Sequence, residues 1–117
     1  MVTGDVDASS FNTTSDKLLK TNLERIEGAL DKIEQLNGYT FDWIDDYSYD
    51  KTRQIGMIAN EVHAVQPELT SNRTIMLNDK QEEILLLDYS KVTVLLIEAV
   101  KELSDKVKKL EDKLNKK

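Results

Sequence analysis

The chain has 117 residues, 39% apolar and 32% charged, and a formal net charge of −6, enough for one domain around one core. It has no cysteine and one histidine, His63, which excludes disulfides and thiolate metal sites, so neither a metal nor a cofactor is expected. The charge is uneven: residues 101–117 hold seven lysines against four acids, so the excess acid lies in the body, which argues against a nucleic-acid partner.

No apolar run approaches the roughly 20 residues of a membrane span, and no signal-peptide order is present, so no membrane partner is expected. Residues 1–14, MVTGDVDASSFNTT, have little apolar content and no period. They read as a linker or the end of an upstream domain, cut from a longer chain. Residues 15–117 then form one domain.

Residues 15–22, SDKLLKTN, carry a serine five positions before a lysine, with Leu18 and Leu19 between them. A serine hydroxyl needs a base to take its proton, and a lysine serves only when neutral, a state favoured by burial. Ser-Lys pairs are one variant of triad logic. Five residues on a helix place side chains about 140° apart, so a contact requires a turn or a neighbouring chain. The plainer reading is that Ser15 caps a turn and Lys20 is a solvated charge.

Residues 22–36 have a helix pattern: Leu23, Ile26, Leu30, Ile33 and Leu36 make one apolar stripe. Asn22 is the candidate cap, and Asn37-Gly38 the stop through left-handed conformations. YTFDWI, residues 39–44, alternates as a half-buried strand, and DDYSYDKTR is a polar loop. QIGMIA, residues 54–59, is a second short strand. NEVHAVQPEL begins a short helix at Asn60 that Pro67 ends near Gln66. His63 sits within it as a structural or surface residue. RTIML and EEILLL, joined by NDK, predict a β-hairpin.

From Asp88, with Asp88 or Ser90 as cap, the pattern predicts one long helix to the end. Tyr89, Leu96, Val100, Leu103, Val107, Leu110 and Leu114 fall on heptad seam positions, with Thr93 the one polar member. Lys106 and the following Glu111 fall on flanking positions that pair between parallel chains. Residues 92–100, VTVLLIEAV, are apolar nearly all round and are expected to be buried in the domain. Beyond Val100 the stripe is narrow, the mark of a helix partner. The fold class is α+β: a small mixed domain with short strands and a β-hairpin, ending in a long C-terminal helix that forms a coiled-coil-like trimer.

Taken together, SDKLLKTNL, ALDKIEQLNGYTFDW, IGMIANEVHAVQPEL and LDYSKVTVLLIEAVKEL resemble the C-terminal intramolecular chaperone domain of phage endosialidases, tail spikes and tail fibres, the S74 peptidase family. The resemblance spans residues 15 to about 105. It implies a homotrimer that helps the upstream fibre or spike domain of the same polypeptide to fold. It also implies single-turnover self-cleavage next to the serine of an S-D-x-x-x-K motif, here Ser15, Asp16 and Lys20. Ser15 would be the nucleophile, Lys20 the general base and Asp16 a positioning group. The implied setting is the host-cell cytoplasm during phage assembly, with the parent fibre in the virion tail and the released chaperone absent from the particle.

Two positions depart from the pattern: Leu18 stands where members often have arginine, and Asn60 where many have glutamine. Val at a with Leu at d favours dimers in isolated coils, whereas the resemblance implies trimers, through Leu96, Val100, Leu103, Val107, Leu110 and Leu114. The alternative is a permanent, non-cleaving oligomerisation cap.

Overall fold

A computed structural model describes residues 14–116. Residues 1–13, and with them nearly all of the predicted linker, lie outside the described part. The element order is α1 (Ala29–Glu34), β1 (Tyr39–Phe41), β2 (Gln54–Gly56), α2 (Ala59–Val65), β3 (Thr70–Leu77), β4 (Lys80–Leu87) and α3 (Tyr89–Asn115). Short 3₁₀ turns occupy Lys17–Leu19 and Pro67–Leu69. The chain extends 67 × 39 × 24 Å, because α3 continues well past the body.

Two antiparallel pairs make the sheet content of the described residues. β1 pairs with β2 in the register Tyr39↔Gly56, Thr40↔Ile55 and Phe41↔Gln54. β3 and β4 form the predicted hairpin from Thr70↔Leu87 to Leu77↔Lys80. Asn78 and Asp79 turn it with φ of 53° and 64°, and Asn and Asp tolerate the left-handed region that a tight two-residue hairpin turn requires.

The predicted helix over 22–36 is much shorter. Its first half has no helical structure, and α1 starts only at Ala29. Gly28 explains the difference: its φ of 68° lies in the left-handed region, so it caps the helix rather than continuing it. Asn22, the predicted cap, also has a positive φ, 55°, and stands far from the helix. The predicted stop has another mechanism as well, since neither Asn37 nor Gly38 is left-handed and the helix ends through Gln35. The first strand is likewise shorter than YTFDWI, because β2 offers it only three partners before the chain enters the 45–47 turn.

α2 ends at Gln66 with Pro67 opening the next turn, because proline cannot continue the ladder. α3 begins at an Asp88 N-cap, whose carboxylate accepts from Ser90 N–H at 3.0 Å. Tyr89 turns inward at its hydroxyl, which accepts from Met57 N–H at 2.9 Å. Gly56 makes room for it: a Cβ there would stand 2.6 Å from the Tyr89 hydroxyl oxygen.

The core is small. Ala29, Val62, Leu69, Val92, Leu95 and Ala99 are its buried members, and Ile26, Leu30, Ile33, Leu36, Met57 and Leu87 pack around them. α1 packs chiefly on α3. The expectation that residues 92–100 are buried all round is corrected. Only Val92, Leu95 and Ala99 are buried there, while Val94, Leu96, Ile97 and Val100 are exposed. One helix face packs on the body, and Val94, Ile97 and Val100 stay more than half exposed.

Candidate functional site

The Ser15 to Lys20 segment is shaped by Asp16. Its carboxylate accepts from Leu18 N–H at 2.9 Å, and its carbonyl accepts from Leu19 N–H at 3.0 Å. Lys20 N–H then closes on Lys17 O at 3.1 Å. The resulting 3₁₀ turn brings together two side chains that a helix or strand would separate. Lys20 Nζ donates to Ser15 Oγ at 2.8 Å. Asp16 touches neither of them through its side chain; it acts on the turn between them.

The segment is open to solvent, with every residue from Thr14 to Glu24 exposed. Leu18 is 90% exposed and Leu19 69%, so the apolar pair does not bury Lys20 within the single chain. In this contact the amine donates and the hydroxyl accepts. For general-base chemistry the direction must reverse, which needs a neutral amine and hence removal of water.

The seam residues form a second, larger feature. Leu96, Val100, Leu103, Val107, Leu110 and Leu114 are all exposed on one face of α3. That face lies beside the core-facing stripe of Val92, Leu95 and Ala99, so one helix can hold the body and meet partners at once. From Leu103 on, every described residue is exposed. An apolar row of this length is the signature of an interaction surface.

Other candidates carry no chemistry of their own. His63 Nδ1 lies 2.8 Å from Thr70 Oγ1, whose single proton goes to Pro67 O at 2.9 Å, so His63 donates and ties α2 to the hairpin. Asp45 pairs with Lys51, and Asp42 with Arg53 at 2.9 Å, on the surface. A groove of about 510 Å³ between the β1–β2 loop and the hairpin is walled by Phe41, Trp43, Tyr47, Met57 and Ile84, among others. Its wall is mainly apolar, with Asp42 the one ionisable carboxylate. Among the described residues there is no cluster of three or more His, Asp or Glu that could hold a metal ion. No helix of the described residues is long and apolar enough to cross a membrane.

A turn carrying Ser, Asp and Lys, two short hairpin sheets and a long helix with a bare seam define a chaperone domain of the kind that ends phage fibre proteins. Residues 15–71 match the family described as chaperone of endosialidase, and the chain belongs to this S74 peptidase family. Curated relatives agree. The chain is 35% identical over 111 residues to the long tail fiber protein Gp37 of Enterobacteria phage K3, covering 94% of this chain and 9% of that protein. It is 35% identical over 111 residues to that of Enterobacteria phage Ox2, covering 92% of this chain and 42% of the relative, and 27% identical over 117 residues to that of Salmonella phage S16. The chain thus spans less than a tenth of the K3 fibre protein. The family carries a fibre-associated chaperone role, and self-cleaving peptidase activity is a property of the family.

Proposed function

We propose that this domain is a homotrimeric intramolecular chaperone of a phage tail fibre, and that it then cuts itself free next to Ser15. The observation that carries the proposal is the 2.8 Å contact of Lys20 Nζ with Ser15 Oγ, in a chain of the S74 family. In the cutting step Ser15 Oγ attacks the carbonyl carbon of the adjacent peptide bond. Its proton passes to Lys20 Nζ. The C–N bond breaks, the leaving nitrogen takes that proton, and water later hydrolyses the ester. Nucleophile and substrate share one chain, so positioning supplies much of the rate. Asp16 holds the turn that sets this geometry.

Assembly supplies what the single chain lacks. Three copies joined along the α3 seam bring neighbouring surfaces against the exposed Leu18–Leu19 pair, drying Lys20 so that it can accept a proton. Early association of these ends raises the local concentration of the upstream fibre chains, whose long-range β pairing is slow. Cleavage after folding then removes the route back and leaves the fibre held by a kinetic barrier. The parent would assemble in the host cytoplasm and act in the virion tail, after the chaperone has gone.

The exposure of Ser15 and Lys20 favours one rival, a permanent oligomerisation cap that never cuts. A chain with its upstream fibre segment, as wild type, Ser15→Ala and Lys20→Met, separates the two on denaturing gels and by mass spectrometry. We expect cleavage next to Ser15 in wild type and none in either variant. Wild-type protein that stays whole after complete assembly would establish the cap.

A further inference from the structure

Among the described residues, Glu102 is the one acidic side chain of α3 that hydrogen-bonds the body's backbone. Its Oε2 accepts from Ala29 N–H at 2.9 Å and its Oε1 from Leu30 N–H at 3.0 Å, across more than 70 positions of sequence. The two oxygens together occupy the first donors of α1, a helix whose N-cap, Gly28, has no side chain to do this itself. Those hydrogen bonds hold the Glu102 carboxyl below the ordinary glutamate range, with the nearby Lys106 ammonium adding to the effect.

Its place on α3 matters as much as its contacts. Val92, Leu95, Ala99 and Glu102 follow one another on the body-facing stripe, and Glu102 is its last half-buried member before the helix leaves the body. Ala29, fully buried, and Ala99 share the core with Val92 and Leu95 of α3 and Leu30 and Ile33 of α1. Apolar packing of this kind is non-directional and does not by itself set the angle between the two helices. A forked carboxylate does set it, because both of its bonds are directional. On the far side of Ala29, residues 21–28, with Ile26 packed on the core, link α1 to the exposed segment that carries Lys20 and Ser15.

We infer that Glu102 is a positioning residue: it fixes the angle of the body on the α3 stem, and so decides where each cleavage segment falls against its neighbour when the stems assemble. This rests on the self-cleavage reading above. In a trimer about the stem axis, rotation of each body moves its Ser15 to Lys20 segment toward or away from the next copy. With the fork intact, assembly carries Leu18 and Leu19 onto a neighbour and the amine loses its water. With it gone, the stems still associate through Leu103, Val107, Leu110 and Leu114, but the bodies turn.

The test uses the chain with its upstream fibre segment, as wild type, Glu102→Gln, Glu102→Asp, Ser15→Ala and Asp112→Asn as a charge control. Two quantities are read separately: the concentration for half-assembly, by light scattering, and the first-order cleavage rate of the assembled species, by gel. Glutamine keeps one acceptor but turns an N–H group toward backbone N–H donors. We expect Glu102→Gln to assemble at nearly the wild-type concentration and to cut at least tenfold more slowly once assembled. Glu102→Asp, which keeps both acceptors on a shorter stem, should recover part of that rate, and Asp112→Asn should cut like wild type. Equal rates for assembled wild type and Glu102→Gln overturn the inference while leaving self-cleavage standing. Loss of assembly in both Glu102 variants also overturns it, because the residue would then support the fold itself. Wild type that never cuts, like Ser15→Ala, removes the cleavage reading and this inference together.

Discussion

At the scale of single residues, small geometric constraints decide local structure. Gly56 sits where a methyl group would meet the Tyr89 hydroxyl at 2.6 Å, and that hydroxyl holds the Met57 N–H. Gly56→Ala should therefore cost about 1–3 kcal/mol as overpacking, seen as a lower melting temperature. In a Tyr89→Phe background the obstructing oxygen is absent, and the same substitution should cost markedly less; equal costs in both backgrounds would disprove the contact. Asp88 offers a pH test. Its carboxyl is held below the ordinary carboxylate range chiefly by the Ser90 hydroxyl, which donates to it. A lowered folded value means the ionised group stabilises the fold fully above its unfolded value, about 3.9. That stabilisation is lost as pH falls through the lowered value. Asp88→Ala should melt below wild type at pH 7, and the gap should narrow on acidification below about 3.9.

At the scale of elements, periodicity gave the kind of element more surely than its ends. The hairpin, the Pro67 stop and the long helix from Asp88 were all legible, because each rests on local chemistry: turn residues that tolerate positive φ, a missing N–H, and an N-cap acceptor. The helix over 22–36 was overdrawn because its apolar spacing runs straight across Gly28, whose left-handed backbone breaks the ladder. Its real cap, Glu102, could not be read from the sequence. The contact joins residues more than 70 positions apart, and no local pattern encodes it. At the candidate site the residue types at 15, 16 and 20 were visible, but the 3₁₀ turn that joins Ser15 to Lys20 became legible only from the Asp16 hydrogen bonds. Within α3 the two stripes make separable predictions. Leu95 is buried in the core, so Leu95→Ala should cost about 2–5 kcal/mol of folding stability by chemical denaturation. Leu103→Asp with Leu110→Asp sits on the exposed seam and should leave the body folded while weakening self-association, because each variant would place a charge in a dried interface.

At the scale of the whole molecule, the single chain leaves much apolar surface exposed. Among the described residues six form the buried core, whereas the seam of α3 and the leucines at 18 and 19 stand in water. A contiguous apolar row left in water marks an interaction surface. If assembly covers these surfaces and dries Lys20, cleavage must follow association in time and depend on concentration below the assembly threshold. A dilution series of the chain with its upstream segment, sampled over hours, should therefore show a cleavage rate that climbs steeply with concentration and then levels off as assembly saturates. The seam variant Leu103→Asp with Leu110→Asp should shift the whole curve to higher concentration yet reach the same plateau, since neither residue touches Ser15 or Lys20. A rate independent of concentration, equal in the seam variant and wild type, would mean that one chain already dries its own amine, and the link between assembly and cleavage would be lost.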